Sequence, residues 1–162
     1  RGNIELELDG GPFRLSATAD RIEMNSTGEI VIVDFKTGNP PREKEVGAGL
    51  SQQMPLQALI AQKGGYEKVP AARVDQLHYV AFKAKPDAFT LGGKHNLPSD
   101  PAEMAEIAEE GLRRLIVQYR NPSAAFLSAP RVKFVKYDNG FNLLARRAEW
   151  AGDTEDGEAS DG

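Results

Sequence analysis

From Ala19 to Gly38 the chain reads ADRIEMNSTGEIVIVDFKTG. Two strand-like runs flank Asn25-Ser26-Thr27-Gly28, a cluster of turn-forming residues, which is the pattern of a β-hairpin. Side chains alternate between the faces of a strand, so Val31, Val33 and Phe35 share one face of the second run and Ile30, Ile32, Asp34 and Lys36 the other. Both faces are apolar until Asp34, which predicts a central strand buried on both sides. An acid and a lysine then follow on one face at the strand's end. With the turn centred near Thr27, Asp20 falls opposite or almost opposite Asp34, and opposed residues of a hairpin hold their Cβ atoms roughly 4.5–5.5 Å apart. Two carboxylates so close repel unless positive charge lies between them, and a divalent cation or a lysine supplies it.

Outward from this hairpin, Ile4 to Leu8 alternates apolar and acidic residues and predicts a half-buried strand. Asp9-Gly10-Gly11-Pro12 is a turn, and Phe13 to Glu23 reads as one long strand carrying Asp20 near its end. Three strands joined by tight turns predict an antiparallel meander. Arg42 to Gly49 reads as a loop. Ser51 is placed to cap a helix through Ala61, with Pro55 in its first turn, where missing N–H groups cost little. Gln53 and Gln57 lie four apart and share a face of that helix, by default its polar face. Val74 to Phe82 is rich in strand formers. Lys83 to Pro98 is a polar connection with room for a short hairpin. Ser99 or Asp100 caps a helix that starts at Pro101 and stops before Asn121-Pro122; Met104, Ile107, Ala108, Leu112, Leu115, Ile116 and Tyr119 follow helical spacing along it. Phe126 to Tyr137 is irregular with room for a strand, Phe141 to Trp150 reads as a last short helix, and the acidic Gly/Ser segment 151–162 predicts a disordered tail. Residues 1–150 therefore read as one α/β domain: a mixed central sheet, antiparallel at its start, flanked by helices.

Composition narrows the chemistry. The chain has 162 residues, enough for one domain with a core. It has no cysteine, which excludes disulfides, Cys-ligated zinc and any iron–sulfur cluster held by this chain, and agrees with a cytoplasmic location. With only His78 and His95 present, a metal site must be built from oxygen ligands, which suit Mg, Mn or Ca. No run of about 18 apolar residues offers a membrane span. The net charge of −4 comes from the tail, where Asp153, Glu155, Asp156, Glu158 and Asp161 stand without a basic residue. Without those five the chain holds 20 basic residues against 19 acidic, so the overall sign argues neither for nor against a nucleic-acid partner.

Asp20, Asp34 and Lys36 form the one constellation with a mechanism. Two carboxylates and the backbone carbonyl of Phe35 can hold a hard cation, which polarises a phosphoryl oxygen and acidifies a bound water. Lys36 can orient that water or stabilise charge in the transition state, and hydrolysis of a phosphodiester is the natural reaction. Against this stands the plainer reading: D-x-K is a short motif that arises by chance, and an Asp–Lys pair on a strand is usually a solvated ion pair. Arg113, Arg114, Arg146 and Arg147 can touch phosphates, but scattered surface arginines are the simpler reading. His78 reads as structural, and Trp150 and Tyr119 as packing residues.

The segments Ala19-Asp20-Arg21-Ile22-Glu23, Val33-Asp34-Phe35-Lys36-Thr37-Gly38 and Gln53-Met54-Pro55-Leu56-Gln57 together resemble the motifs of the RecB-type nucleases of the PD-(D/E)XK superfamily. Pro40 to Leu50 and Tyr137 to Trp150 are similar to the C-terminal nuclease domain of the AddB family of double-strand-break repair proteins, in its alphaproteobacterial form. The resemblance implies a restriction-endonuclease-like core and Mg-dependent (or Mn-dependent) cleavage of DNA, chiefly single-stranded. It further implies a place beside an AddA-like helicase–nuclease partner. It makes Asp20 and Asp34 metal ligands and Lys36 the catalytic lysine, with Gln53, Gln57, Arg21 and Thr37 in support. Gln57 departs from the tyrosine that many relatives carry. The superfamily's first motif, an acid or histidine on a helix before the sheet, has no evident counterpart: Glu5 and Glu7 fit the solvent face of a strand, so that helix is expected upstream of Arg1 and the fragment alone is expected to lack part of the site. The alternative is a nuclease-fold domain that binds DNA or braces the helicase partner without cutting.

Overall fold

The computed structural model describes residues 1–125, of which Arg1–Pro122 form one compact unit. The expectations for Phe126 to Trp150, for Arg146 and Arg147, and for the acidic tail lie outside the described residues. Six strands and three helices follow in the order β1 (Gly2–Leu6), β2 (Phe13–Ala17), β3 (Arg21–Met24), β4 (Ile30–Lys36), α1 (Glu43–Gly47), α2 (Gln53–Gln62), β5 (Val74–Ala81), β6 (Asp87–Thr90) and α3 (Pro101–Arg120).

The β3–β4 hairpin forms as its turn residues predict. The Asn25 side-chain oxygen accepts the N–H groups of Thr27 at 3.0 Å and Glu29 at 2.9 Å, and Gly28 takes a positive φ of 82°. Arg21 pairs with Val33 and Met24 with Ile30, a register that continued by one residue sets Asp20 against Asp34. β4 then pairs parallel with β5, after a crossover through α1 and α2, and β5 pairs antiparallel with β6. The result is a mixed sheet in the order β3-β4-β5-β6, accompanied by the antiparallel pair β1-β2. This is the expected mixed α/β architecture.

Four local expectations change. Phe13 to Glu23 is not one strand: it breaks over Thr18-Ala19-Asp20, so β2 belongs to the β1 pair and β3 to the larger sheet. At the break, side chains replace the strand ladder. The Thr18 carbonyl accepts the Gln57 amide at 2.9 Å, and the Asp20 carboxylate accepts the Phe35 N–H at 2.9 Å. Arg42 to Gly49 holds a short helix rather than a loop, its first turn acidic at Glu43 and Glu45, with the Glu45 carboxylate accepting the Arg42 N–H at 3.0 Å. Gln52, not Ser51, stands at the N-cap of α2. And β4 is fully buried at Ile30, Ile32 and Asp34 but only half-buried at Val31 and Val33.

α2 is not amphipathic. Met54, Pro55, Gln57, Ala58, Leu59, Ile60 and Ala61 are all buried, because the helix packs against the β1-β2 pair, against β4 and β5 of the larger sheet, and against α3. α3 starts as predicted, with the Asp100 side chain accepting the Ala102 N–H at 2.9 Å and Pro101 as first residue. Its buried stripe is narrower than its sequence suggests: Met104, Ala105 and Ala108 are buried, whereas Ile107 and Leu115 are exposed.

Gly65, just beyond α2, approaches β1 so closely that an added Cβ would lie 2.6 Å from the Asn3 carbonyl oxygen and 2.7 Å from Ile4 Cγ2. The Asn3 N–H also donates to the Gly65 carbonyl at 3.0 Å, so neither backbone can retreat. Gly65→Ala is expected to destabilise the fold by about 3 kcal/mol, the upper end of overpacking costs; a urea midpoint equal to that of the unaltered protein would contradict this.

α3 is tied to its neighbours by charge. Glu109 takes the Lys63 ammonium at 2.9 Å and the Arg113 guanidinium at 2.6 Å, and Arg113 also donates to the Glu7 carbonyl of the β1 side. Burial works to raise the Glu109 pKa, but the hydrogen bonds from Lys63 and Arg113 outweigh it and hold the carboxyl below the ordinary 4.5. A depressed folded value means that this contribution is present above about pH 4.5 and is lost as pH falls through the folded value. The stability difference between the protein and Glu109→Gln should therefore shrink when denaturation is repeated at about pH 3 instead of pH 7. A difference that stays constant would show that the carboxylate's charge is not what holds the clasp.

Candidate active site

The site sits where β4 ends and α2 begins. Ile30, Ile32 and Asp34 point to the α2 side of the sheet, so a carboxylate follows two aliphatic residues into the core, leaving Asp34 only 1% exposed. A buried charge needs a partner and hydrogen bonds. Asp34 Oδ1 accepts the Gln53 amide at 2.6 Å, and Oδ2 faces the Lys36 ammonium at 2.7 Å. Lys36 Nζ in turn donates to Gln53 Oε1 at 3.0 Å, closing a triangle of three side chains. Gln53 can make both bonds because an amide carries a donor and an acceptor. Its place at the first residue of α2 aims it at the strand end.

Asp20 stands beside this triangle, exposed, with one carboxylate oxygen held by the Phe35 N–H. In a strand the N–H and C=O of one residue point to the same side. The Phe35 carbonyl therefore points towards β3 and Asp20, while the Lys36 carbonyl points to β5 and accepts the Phe82 N–H at 2.8 Å. Sequence spacing brought Asp20, Asp34, Lys36 and the Phe35 carbonyl to one strand end, and the structure gathers them there.

The remaining candidates part company. Gln57 shares the α2 face of Gln53 but lies one turn deeper, fully buried, bonded to Thr18 rather than to either aspartate. Arg21 pairs with Glu23 on its own strand. Thr37 is exposed just past β4. His78 aligns with Val33, on the sheet face opposite Asp34, and its two ring nitrogens meet Gln76 at 2.7 Å and Thr90 at 3.0 Å. Glu5 and Glu7 are exposed.

Tyr79 is the neighbour that sequence reasoning missed. It aligns with Asp34 across the parallel β4–β5 pair and is fully buried, and the Lys36 ammonium lies 5.9 Å from its ring centre. Burial first, and the Asp34 carboxylate second, push its phenol well up from the ordinary range, so the ring stays neutral and adds no second negative charge beneath Asp34.

The chain matches the PD-(D/E)XK nuclease superfamily over residues 2–135 and belongs to it. Among curated proteins it is similar to uncharacterised proteins of Rickettsia: 35% identical over 68 residues in R. conorii, and 35% identical over 66 residues in R. felis and in R. typhi. These matches cover 42%, 41% and 41% of this chain and 8% of each relative, so the chain spans only a small part of their length. No solved structure matches it significantly. Among the described residues, no helix is long and apolar enough to cross a membrane.

Nucleases of this superfamily typically use divalent metal ions. The residues present fit such an ion. Asp34 Oδ2 is fully buried and accepts no well-formed hydrogen bond, with only the lysine charge beside it, and every neighbouring donor to a metal is oxygen. Among the described residues no group of three or more acids or histidines gathers. An Mg-type ion needs only one or two carboxylates and keeps several waters, so two acids and a carbonyl suffice for its protein ligands.

Proposed function

We propose that this chain is a RecB-type, metal-dependent deoxyribonuclease domain that hydrolyses phosphodiester bonds of single-stranded DNA. The observation that carries the reading is the buried Asp34 carboxylate, bridged to Lys36 and Gln53 at a strand end with the Asp20 carboxylate alongside. A merely structural core has no need of a charge at that position. In this reading Asp20, Asp34 and the Phe35 carbonyl hold Mg2+ or Mn2+, which when bound supplies an acidified water and a charge clamp on the phosphate. Gln53 fixes the Asp34 carboxylate through Oδ1, and the carboxylate, now paired with Lys36 through Oδ2, would be shared with the ion. Lys36, partly exposed and held by Gln53 and Asp34, would present its ammonium to the phosphate and steady the charge that develops on it. Arg21 and Thr37, both exposed beside the strand ends, would support binding of the DNA backbone.

The repeated match to a small part of much longer proteins supports a domain carried on a long polypeptide. The motif resemblance alone supports reading that polypeptide as an AddB-like subunit working with an AddA-like helicase–nuclease in double-strand-break repair. The test is cleavage of end-labelled single-stranded and duplex DNA, with Mg2+, Mn2+ or a chelator, by this chain and by the longer polypeptide with its partner. Cleavage of single strands that stops with chelator is expected. Metal-independent cleavage overturns the metal assignment, and DNA binding without cleavage by the complete assembly favours a silent, bracing domain.

A further inference from the structure

Phe35 and Phe82 lie open to solvent at 37% and 59% exposure, their rings packed at 5.6 Å between centroids and tilted by 35°. Single exposed apolar side chains are ordinary, but two aromatic rings packed side by side in solvent make a contiguous patch of the kind that marks a ligand surface. Their position is not arbitrary. Phe35 stands between Asp34 and Lys36 in the chain, and the Phe82 N–H is bonded to the Lys36 carbonyl, so both rings are built into the backbone that carries the site. Phe35 aligns with Val80, and Phe82 is two residues further on, which puts both rings on the sheet face opposite Asp34. The exposed Lys83 and Lys85 follow Phe82 directly, with Lys83 bonded to Asn39 at 3.4 Å across the two strand ends, while Asp87 is the acid of the same turn.

We infer that Phe35 and Phe82 form a stacking platform for the unpaired bases of the DNA strand whose phosphate reaches Lys36, with Lys83 and Lys85 meeting the neighbouring phosphates. The inference rests on the nuclease reading and adds to it the feature that selects single strands. Aromatic rings beside cations are the elements that hold single-stranded nucleic acid without regard to sequence. A strand crossing the sheet end would present its phosphate to one face and its bases to the other. In a duplex the bases are already paired and stacked, so the rings have nothing to receive.

The test is binding of the full chain, in chelator so that nothing is cut, to a short single-stranded oligonucleotide carrying a fluorescent purine analogue. Phe82→Leu and Phe35→Leu should each weaken binding about tenfold and remove the quenching of the analogue, and Phe82→Trp should restore both. Unchanged melting temperatures would show that the rings are not structural. An abasic oligonucleotide should bind the unaltered protein as weakly as it binds Phe82→Leu. Equal affinity of the unaltered protein for base-bearing and abasic strands, or unaltered binding by both leucine variants, overturns the platform. Base stacking by this chain together with no cleavage by the complete assembly overturns the nuclease reading and upholds the platform; cleavage of single strands by an assembly that ignores the loss of bases overturns the platform alone.

Discussion

Alanine at Asp34 or at Lys36 is expected to abolish DNA cleavage, with a loss of about a hundredfold to a thousandfold or more for either, the scale set by removing one preorganised group from a transition state. The two variants should nevertheless differ in stability. Lys36→Ala leaves the Asp34 carboxylate, 1% exposed, with the Gln53 amide as its one remaining polar partner among the described residues. Stripping a buried charge of its counter-ion costs about 3–5 kcal/mol when both partners are dry. Here Lys36 retains 28% of its side-chain exposure, so solvent screens the pair and about 2 kcal/mol is the better expectation. Asp34→Asn keeps a buried polar group of the same shape while removing the charge, and Lys36 can then turn to water. It should lose activity like the alanine variant with a loss of about 1 kcal/mol or less. Combining Asp34→Asn with Lys36→Met should recover most of the stability lost by Lys36→Ala and none of the activity. Urea denaturation and cleavage of single strands, run side by side, separate the two roles. Cleavage that survives both alanine substitutions in the complete assembly would remove these residues from the mechanism.

The parts of this site that could be read from the sequence are the parts written locally. Asp34 and Lys36 are two residues apart on one strand, and the turn at Asn25 to Gly28 sets Asp20 against them by counting alone. Gln53 was visible because a helix had to begin near it. What could not be read depends on contacts between distant residues. Apolar residues alternate at Phe13, Leu15, Ala17 and Ala19, but the phase then slips by one to Ile22 and Met24, so the break had a local signal that reading one long strand passed over; what no local signal shows is that the Gln57 side chain arrives from 39 residues away to take the Thr18 carbonyl. The position of Tyr79 opposite Asp34 follows from a parallel register, which no turn fixes and which includes an irregularity between Ile30 and Val31. The short helix α1 was hidden by its charges, which read as a loop until the acids of its first turn are seen to suit a helix N-terminus. The burial of Gln57 was missed for a similar reason: a glutamine four residues from another suggests a wet helix face, and only packing of α2 between sheet and helix makes that face interior.

Gln57 therefore gives the sharpest separation of positioning from packing. Its amide nitrogen is bonded to Thr18 at 2.9 Å, while its Oε1 is buried without a hydrogen-bond partner among the described residues. Gln57→Ala loses the bond and leaves a hole in a fully buried place, and should destabilise the protein by about 3 kcal/mol. Gln57→Leu fills nearly the same volume. It loses a bond of about 1 kcal/mol but also removes an orphaned buried oxygen, a penalty of similar size, so its stability should lie within about 1 kcal/mol of the unaltered protein. Its activity should not be spared. The Thr18 clamp lies two residues before Asp20, at the break that turns the Asp20 carboxylate towards the Phe35 N–H. With the clamp gone, that carboxylate loses its fixed place, and cleavage should fall about tenfold, with a matching rise in the Mg2+ concentration needed for half-maximal rate. Gln57→Tyr, which installs the residue that the motif resemblance leads one to expect there, forces a larger ring into a filled interior and should cost about 1–3 kcal/mol. A leucine variant that is both stable and fully active at low Mg2+ would show that the break at Thr18 holds itself, and that Gln57 is there only to fill the core.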